Sequence, residues 1–202
     1  AQRTALLNAM ATVKSFTGTF ALSSFNGSAQ IGSTSSRTAT VQTTAANSAP
    51  TLGGFTYEDS NTATKNITED NRLFIQNHSV LKVTPGTATA KNGATITNYT
   101  ASCNGLSVSN STGAALSVGK ITKAGNVMVT LTITDSRGYT TGVSKAVTVI
   151  PYSKPKVSSI TLRRTNDIEA EMQLIFSGSI SAVSVNGVQK NSVVYVLSLI
   201  HI

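Results

Sequence analysis

An alternating run near the middle of the chain limits its fold more than any other feature. From Val127 to Thr134, aliphatic residues at the odd positions alternate with one methionine and three threonines at the even positions. Successive side chains of a β-strand point to opposite faces, so one face of this run lies against a core and the other meets water. The run therefore predicts a half-buried antiparallel strand.

The residues that follow predict a tight hairpin turn. Asp135 suits the first position of a type I turn, because its carboxylate accepts a nearby backbone N–H. Gly138 supplies the positive φ that the closing bulge of such a hairpin requires. A second alternating strand then returns from Tyr139 to Val149. Since such a hairpin contains almost no reactive chemistry, function has to be inferred from architecture.

Composition supports an all-β fold. The 202 residues are 40% hydrophobic and 12% charged, and 26 serines and 30 threonines supply much of the polarity. Hydroxyls solvate exposed sheet faces, and β-branched threonine fits a pleated strand. The net charge is +8, but the 16 basic residues are spread from Arg3 to Lys190. A nucleic-acid-binding protein gathers such residues into a patch, so we expect no nucleic-acid partner.

An internal repeat divides the chain into modules. Pro50–Asn61 and Pro155–Asn166 share Pro, Thr and Asn at the same offsets, with Phe55 matching Ile160 at a spacing of 105 residues. An immunoglobulin-like sandwich has about 100 residues, so each proline is expected to mark the linker into a module's first strand. The predicted fold class is all-β, with tandem immunoglobulin-like β-sandwich modules, one complete and two partial, and a short N-terminal helix.

The repeat and the turn signals give the boundaries. Residues 50–150 are expected to form the complete immunoglobulin-like β-sandwich. Residues 1–49 are expected to be the C-terminal part of an upstream β module, with a short amphipathic helix around Leu6, Leu7, Met10 and Val13 before its strands. Residues 151–196 are expected to be the truncated start of the next module.

The last six residues carry a separate expectation. Residues 197–202 equal the translation of the transposase end sequence that serves as an adapter in DNA library preparation. We therefore expect them to be an artefact, with a genuine aliphatic strand as the alternative. The missing initial methionine likewise predicts a fragment.

No catalytic, cofactor-binding or metal-binding residues are predicted, and we expect no enzyme activity. His78 lies in a polar run, is expected in a surface loop, and with one cysteine cannot supply a zinc ligand set. That cysteine, Cys103, is expected to be a small buried residue on a strand. Glu58 and Asp59 point to opposite faces of a strand and are expected on the solvated surface. The other acidic residues are also expected on the solvated surface. They are Glu69 with Asp70, and Asp167 with Glu169 and Glu171.

One group of basic residues is dense enough to consider as a site. It comprises Lys154, Lys156, Arg163 and Arg164. Solvated strand and linker charge is one interpretation, and a patch that contacts anions is the other. The longest apolar run is far shorter than the ~20 residues of a spanning helix, so no membrane partner is expected.

Several short segments, taken in their order along the chain, carry a family resemblance. They are Ala5–Ser15, Phe16–Leu22, Phe55–Asn61, Asp135–Tyr139, Ile160–Arg164, Phe176–Ser181 and Val185–Ser192. Together they resemble minor structural proteins, tail or baseplate components with immunoglobulin-like repeats, of tailed phages that infect Gram-positive bacteria. The resemblance covers the chain to about Val194.

The resemblance implies a non-enzymatic virion component of the distal tail or fibre, which extends the tail and contacts the host surface. Its implied partners are other tail proteins, with oligomerisation in the full-length protein. A hydroxyl-rich, weakly cationic surface also favours binding to cell-wall polysaccharide or teichoic-acid-like polymers through many shallow contacts. Two alternatives stay open: a repeat segment of a secreted adhesin at the bacterial cell surface, and a carbohydrate-binding appendage of a wall hydrolase.

Overall fold

The computed structural model describes residues 2–164, 166, 168 and 172–194, most of which lie in β-strands. The helices in this part are α1 (Gln2–Ala9), α2 (Ala45–Ser48) and α3 (Thr62–Thr68). The strands are β1 (Ser15–Asn26), β2 (Ala29–Gln42), β3 (Thr51–Leu52), β4 (Phe55–Asp59), β5 (Phe74–Ile75), β6 (Val80–Pro85), β7 (Ala88–Thr89), β8 (Ile96–Cys103), β9 (Leu106–Asn110), β10 (Leu116–Lys120), β11 (Gly125–Asp135), β12 (Thr140–Ile150), β13 (Lys156–Arg164), β14 (Met172–Ser179), β15 (Ser184–Val185) and β16 (Val188–Gln189). The predicted all-β class is confirmed, and the predicted artefact at 197–202 lies outside the described residues.

Two sheets form a sandwich in the middle of the chain. One has the strand order β10–β6–β4, and the other has the order β5–β12–β11–β8–β9. Neighbouring strands are antiparallel, except that β5 runs parallel to β12. Both sheets contribute to one hydrophobic core, which contains Phe55, Phe74, Leu81, Val83, Ala101, Cys103, Leu116, Val118, Ile121, Val127, Val129, Leu131, Val147 and Val149.

The predicted facing of β11 is confirmed. Its odd-numbered aliphatic residues from Val127 to Ile133 are buried, whereas Met128 is 55% exposed on the other face. On that face the Thr130 hydroxyl is joined to the Ser144 hydroxyl of the next strand by a 2.8 Å hydrogen bond. The alternation read from the sequence therefore separates the core face from the solvent face.

A hairpin flanks the sandwich on each side. The upstream hairpin is β1–β2 and the downstream hairpin is β13–β14, each of them a two-stranded sheet. Every residue of β13 and β14 is exposed, and so is nearly all of β2. Two further two-stranded sheets are formed by short strands, one by β3 and β7 and the other by β15 and β16.

The chain enters and leaves the sandwich at opposite ends. Thr141, near the start of β12, donates a hydrogen bond from its hydroxyl to the carbonyl of Pro50, where the chain enters. At the other end of β12 the carbonyl of Ile150 accepts from Gln76, whose side chain accepts from the amide of Tyr152. Thr141 and Ile150 lie in the same strand, nine residues apart, which corresponds to about 31 Å at about 3.4 Å per residue.

Candidate functional site at the upstream end of the sandwich

The turn between β11 and β12 is closed by hydrogen bonds from within. The amide of Asp135 donates to the carbonyl of Tyr139, and the amide of Gly138 donates to the carbonyl of Asp135, both at 2.9 Å. Asp135 Oδ1 accepts from the amides of Arg137 and Tyr139 at 3.0 and 2.9 Å. Gly138 has a φ of +80°, which a residue with a side chain rarely adopts.

A buried ion pair occupies this turn. Arg137 Nη2 lies 2.9 Å from Asp135 Oδ2, and neither side chain is exposed to solvent. The same Nη2 donates to the carbonyls of Ser48 at 3.0 Å and Lys91 at 2.8 Å. One guanidinium therefore joins the turn, the segment before Pro50 and the loop before β8. We call Asp135 and Arg137 with these two carbonyls the turn clamp.

The surroundings keep Asp135 charged. Burial by itself raises the pKa of this carboxyl, but hydrogen bonds from the amides of Tyr139 and Arg137 and from the Arg137 side chain outweigh it. The pKa of Asp135 is therefore lowered below its usual value. A buried carboxylate and a buried guanidinium stabilise a fold only as a pair, because either one alone is an uncompensated charge.

Further contacts attach the upstream segment to the same turn. The Tyr139 hydroxyl donates to the carbonyl of Thr43 at 2.8 Å, and the Ser136 hydroxyl donates to the carbonyl of Ala11. The Lys14 ammonium lies 4.7 Å from the centre of the Tyr139 ring, within the range of a cation–π contact. Residues on both sides of the β1–β2 hairpin are thus held by one turn of the sandwich.

Helix α1 packs on the loop before β8. Met10, just after the helix, is only 4% exposed. A Cβ added to Gly93 would lie 2.8 Å from the carbonyl oxygen of Leu7, so only glycine permits this approach. Asn92 donates from its side chain to the Ser48 hydroxyl at 3.1 Å. The structure has the predicted helix at Leu6 and Leu7, with Met10 just after its end, and Leu7 lies against Gly93 of the loop before β8.

The downstream end carries a second set of contacts. The rings of His78 and Tyr152 meet edge to face, with their centres 4.9 Å apart. Val183, beyond the downstream hairpin, is buried. The Lys190 ammonium lies 2.7 Å from the carboxylate of Glu69 at the end of α3. His78 lies in an exposed turn after β5, as expected of a surface loop, and belongs to this contact region.

The structure does not bring the four candidate anion-contacting residues together. Lys154 lies just before β13 and Lys156 begins it, whereas Arg163 and Arg164 lie at its end. Seven residues along a strand separate Lys156 from Arg163 by about 24 Å. All four are exposed, and Arg163 donates to the side chain of Gln173 at 2.9 Å. They form no single anion pocket.

The expectation that the carboxylates are solvated is wrong for Asp59. This side chain is fully buried, and its Oδ1 accepts from the amides of Asn61 and Val80, both at 2.9 Å. Its Oδ2 accepts from the Thr64 hydroxyl. Asp59 thereby ties the start of α3 to β6, which is a structural role. Asp167, Glu169 and Glu171 lie outside the described residues.

Glu58 points the other way from Asp59, as the strand geometry predicts. Lys82 on the neighbouring strand donates to Glu58 at 3.1 Å. The hydrogen bond and the charge of Lys82 together lower the pKa of Glu58 below its usual value. This pair is a half-buried cross-strand contact of β4 and β6.

Cys103 is buried in the core of the sandwich, as expected. Burial raises the pKa of its thiol, so the reactive thiolate is disfavoured. No group of three or more His, Cys, Asp or Glu side chains suited to a metal ion occurs in the described part of the chain. None of the helices seen there is both long and apolar enough to cross a membrane.

Comparison with protein families gives one match, over residues 3–200. The family is described as "Siphovirus protein of unknown function (DUF859)". No curated protein matches the chain, and no solved structure does.

Proposed function

We propose that this chain, which belongs to the siphovirus protein family DUF859, is a non-enzymatic structural component of the phage tail. Siphoviruses are tailed phages, so the chain is a phage protein. The proposed role is to extend the distal tail or a tail fibre, with other tail proteins as its neighbours. The full-length protein would act in the virion.

The observation that carries this proposal is the placement of the two contact regions. The turn clamp holds the upstream segment at one end of β12, and the contact between His78 and Tyr152 lies at the other end. Since the chain enters at one end of the sandwich and leaves at the other, successive modules would follow one another in series. A series of such modules provides length, which is what a tail extension requires.

We further propose that residues 50–150 are an immunoglobulin-like module, and the strand order supports this. In chain order, β4, β6, β8, β10, β11 and β12 correspond to strands A, B, C, E, F and G of that fold. Strands A, B and E then share one sheet, while C, F and G share the other, as observed. Strand β9 extends the second sheet beside β8, where variable-type domains place an additional strand.

The tandem arrangement is part of the same proposal. Strands begin directly after both prolines of the repeat, β3 after Pro50 and β13 after Pro155. Residues 1–49 would then close an upstream module, and residues 151–196 would open a downstream one.

Detection in the particle tests the tail role. The phage that encodes this protein would be purified, its proteins identified by mass spectrometry, and its particles labelled with gold-conjugated antibodies against the chain. We expect the protein in purified virions and the label at the tail. Presence in the infected-cell lysate but absence from washed virions would contradict the proposal.

We also propose weak contact with anionic wall polymers. Residues 1–49 contain three basic and no acidic residues. Residues 50–150 contain eight basic and five acidic residues, and residues 151–202 contain five basic and three acidic residues. Each region is thus weakly cationic, and binding would come from many dispersed contacts. Such binding weakens steeply with salt because exposed charges are screened.

Two matched charge variants test the wall contact. One replaces Lys154, Lys156, Arg163 and Arg164 by glutamine, and the other replaces four exposed basic residues elsewhere, Arg3, Arg37, Lys120 and Lys123. If the contacts are dispersed, both variants bind purified cell walls less than the parent and by a similar factor. Binding that is undetectable or unaffected by salt would exclude the wall contact without bearing on the location in the virion.

A further inference from the structure

We propose that Asn26 is a site of spontaneous covalent modification, in which its side-chain amide is converted to a carboxyl group through a cyclic imide formed with the backbone of Gly27. The structure selects this residue from several asparagines that have the same neighbour in sequence. This inference goes beyond the tail role and does not depend on it.

The reaction needs no reagent other than water. The backbone nitrogen of Gly27 attacks Cγ of Asn26, a new C–N bond forms, and the bond from Cγ to the side-chain nitrogen breaks. That nitrogen leaves as ammonia together with the proton of the Gly27 amide. Water then opens one of the two C–N bonds of the ring, which gives aspartate or isoaspartate. A following glycine favours the attack because it has no side chain to hinder it.

The chain contains four Asn-Gly pairs in which this chemistry could occur. They are Asn26-Gly27, Asn92-Gly93, Asn104-Gly105 and Asn186-Gly187. The last three asparagines have left-handed backbones, with φ of +50°, +49° and +51° respectively. Asn26 differs from them, because it is the last residue of the extended strand β1 and pairs with Ala29 across the turn.

Backbone conformation controls ring closure. The next backbone nitrogen has to rotate about the Cα–C bond until it eclipses Cβ, where Cγ can reach it. Around this bond Cβ is offset by about 120° from the residue's own nitrogen, so an extended ψ of about +135° leaves about 105° of rotation, whereas a left-handed ψ of about +47° leaves about 167°. A left-handed asparagine therefore holds the two reacting atoms almost as far apart as this bond allows.

Two of the left-handed asparagines are also held by their side chains. The amide of Asn92 donates to the Ser48 hydroxyl at 3.1 Å, and the amide of Asn104 donates to the Thr122 hydroxyl at 3.2 Å. Each of these turns must open locally before the ring can close, and such opening costs free energy.

The turn at Asn26 is open around the reacting nitrogen. Gly27 has a φ of +59°, and no atom lies within 4 Å of the position that a Cβ on it would occupy. Asn26 is the terminal residue of a two-stranded sheet, and such sheets are marginally stable in water. The backbone angles are set within the turn itself, so the assignment does not depend on what lies beside the hairpin.

The modification would change the charge of the upstream region. Residues 1–49 contain three basic and no acidic residues, so conversion of Asn26 would introduce their first carboxylate. If isoaspartate forms, the backbone of the turn also becomes longer by one methylene group. The hairpin would thus lose part of its positive charge and the regular geometry of its turn.

Incubation in heavy-oxygen water tests the assignment, because the hydrolysed residue takes its new oxygen from the solvent. The parent chain would be incubated in mildly alkaline buffer, digested in acid to stop the reaction, and analysed by mass spectrometry with fragmentation to locate the label. We expect label at position 26 to appear about tenfold faster than at each of the other three, equivalent to an additional opening free energy of about 1.4 kcal/mol at those sites.

The same chain unfolded in urea is the matched control. All four rates should become similar there, because glycine follows each asparagine. Asn26→Gln should abolish labelling at position 26 and leave the other three rates unchanged, since glutamine would have to close a larger ring. Protection of the Cys103 thiol from alkylation shows that the sandwich stays folded during the incubation.

Three outcomes would overturn the proposal. They are equal rates at the four asparagines in the folded chain, a faster reaction at any of the three left-handed ones, and absence of label at position 26 under conditions in which the unfolded chain is labelled there.

Discussion

The sandwich and its flanking hairpins are built from the same kind of strand but end in opposite environments. Strand β11 alternates aliphatic and hydroxyl residues, and its aliphatic side is buried. Strand β13 has a similar alternation through Ile160 and Leu162, yet every one of its residues is exposed. The alternation determines which side chains share a face. Whether that face is buried depends on a second sheet, which only the sandwich has in the described residues.

This difference shows where the stability of the chain lies. An isolated two-stranded hairpin is marginally stable in water, whereas two packed sheets supply a core. Substitutions of the same kind should therefore have unequal effects in the two regions.

The largest difference in stability between the two regions is expected for leucine-to-alanine substitutions. Leu131→Ala removes a side chain with no solvent exposure and should lower the free energy of unfolding by about 2–5 kcal/mol, because it loses buried area and leaves a cavity. Leu162→Ala, at a position 59% exposed, should change it by less than about 0.5 kcal/mol. Urea titration with alkylation of Cys103 as the probe reports unfolding of the sandwich. Equal losses from both changes would show that the hairpin shares the core.

The second comparison concerns arginine. Arg137→Met should lower the free energy of unfolding by about 3 kcal/mol, since it leaves the Asp135 carboxylate buried without its partner. Methionine fills most of the vacated volume, which places the effect at the low end of the range for broken buried pairs. Arg163→Met on the exposed hairpin is the matched control.

The same urea titration measures both arginine variants. The upstream segment should also loosen in Arg137→Met, visible as faster amide exchange at Ser48 and its neighbours, and Arg163→Met should leave that exchange unchanged. A near-neutral Arg137→Met would mean that the turn clamp contributes nothing to the junction.

The sequence predicted the framework of the sandwich from local rules. Alternation identified β11 and β12, Asp135 and Gly138 identified the turn between them, and the repeat placed strand starts after Pro50 and Pro155. These features depend on neighbouring residues, which is why sequence alone revealed them. Helix α3 was not predicted, because its run of threonines resembles a strand and its start depends on the Asn61 side chain accepting from Ala63.

The turn clamp was only half predicted. Asp135 and Gly138 stood out through turn chemistry, but nothing near Arg137 indicated that its side chain would be buried. Its partners at Ser48 and Lys91 are 89 and 46 residues away in the chain. Asp59 was misjudged for the same reason, since the Val80 amide that it accepts from is on another strand. Burial of a charge depends on distant backbone groups that no local pattern reveals.

A pair of glycines tests the contact between the regions. Gly93 and Gly105 both follow an asparagine with positive φ and have φ of +79° and +80°. Alanine at either position should be destabilising because of that backbone conformation. Only at Gly93 would the new Cβ meet the Leu7 carbonyl, at 2.8 Å, whereas nothing lies within 4 Å at Gly105.

Gly93→Ala should therefore cost about 1 kcal/mol more than Gly105→Ala, the low end of the cost of overpacking. Urea titration gives this difference, and faster amide exchange in α1 of the first variant would locate it. If the two variants behave alike, the helix does not rest on this loop.

The smallest effect is a pH dependence that belongs to the sandwich and not to the upstream hairpin. Because the pKa of Asp135 is lowered in the folded state, its contribution to stability is present above the unfolded pKa of about 3.9. This contribution is lost as the pH falls through the lower pKa that Asp135 has in the folded protein. The difference in the free energy of unfolding between the parent and Asp135→Asn should thus be constant from pH 7 to about pH 5 and shrink below about pH 4. Residues 1–49 contain no Asp or Glu, so the upstream hairpin has no carboxylate of its own to protonate. The amide exchange of this hairpin, corrected for the intrinsic effect of pH, should change in acid only when the turn clamp opens. If exchange in the hairpin changes at a higher pH than exchange at the turn clamp, the pH dependence does not originate at Asp135.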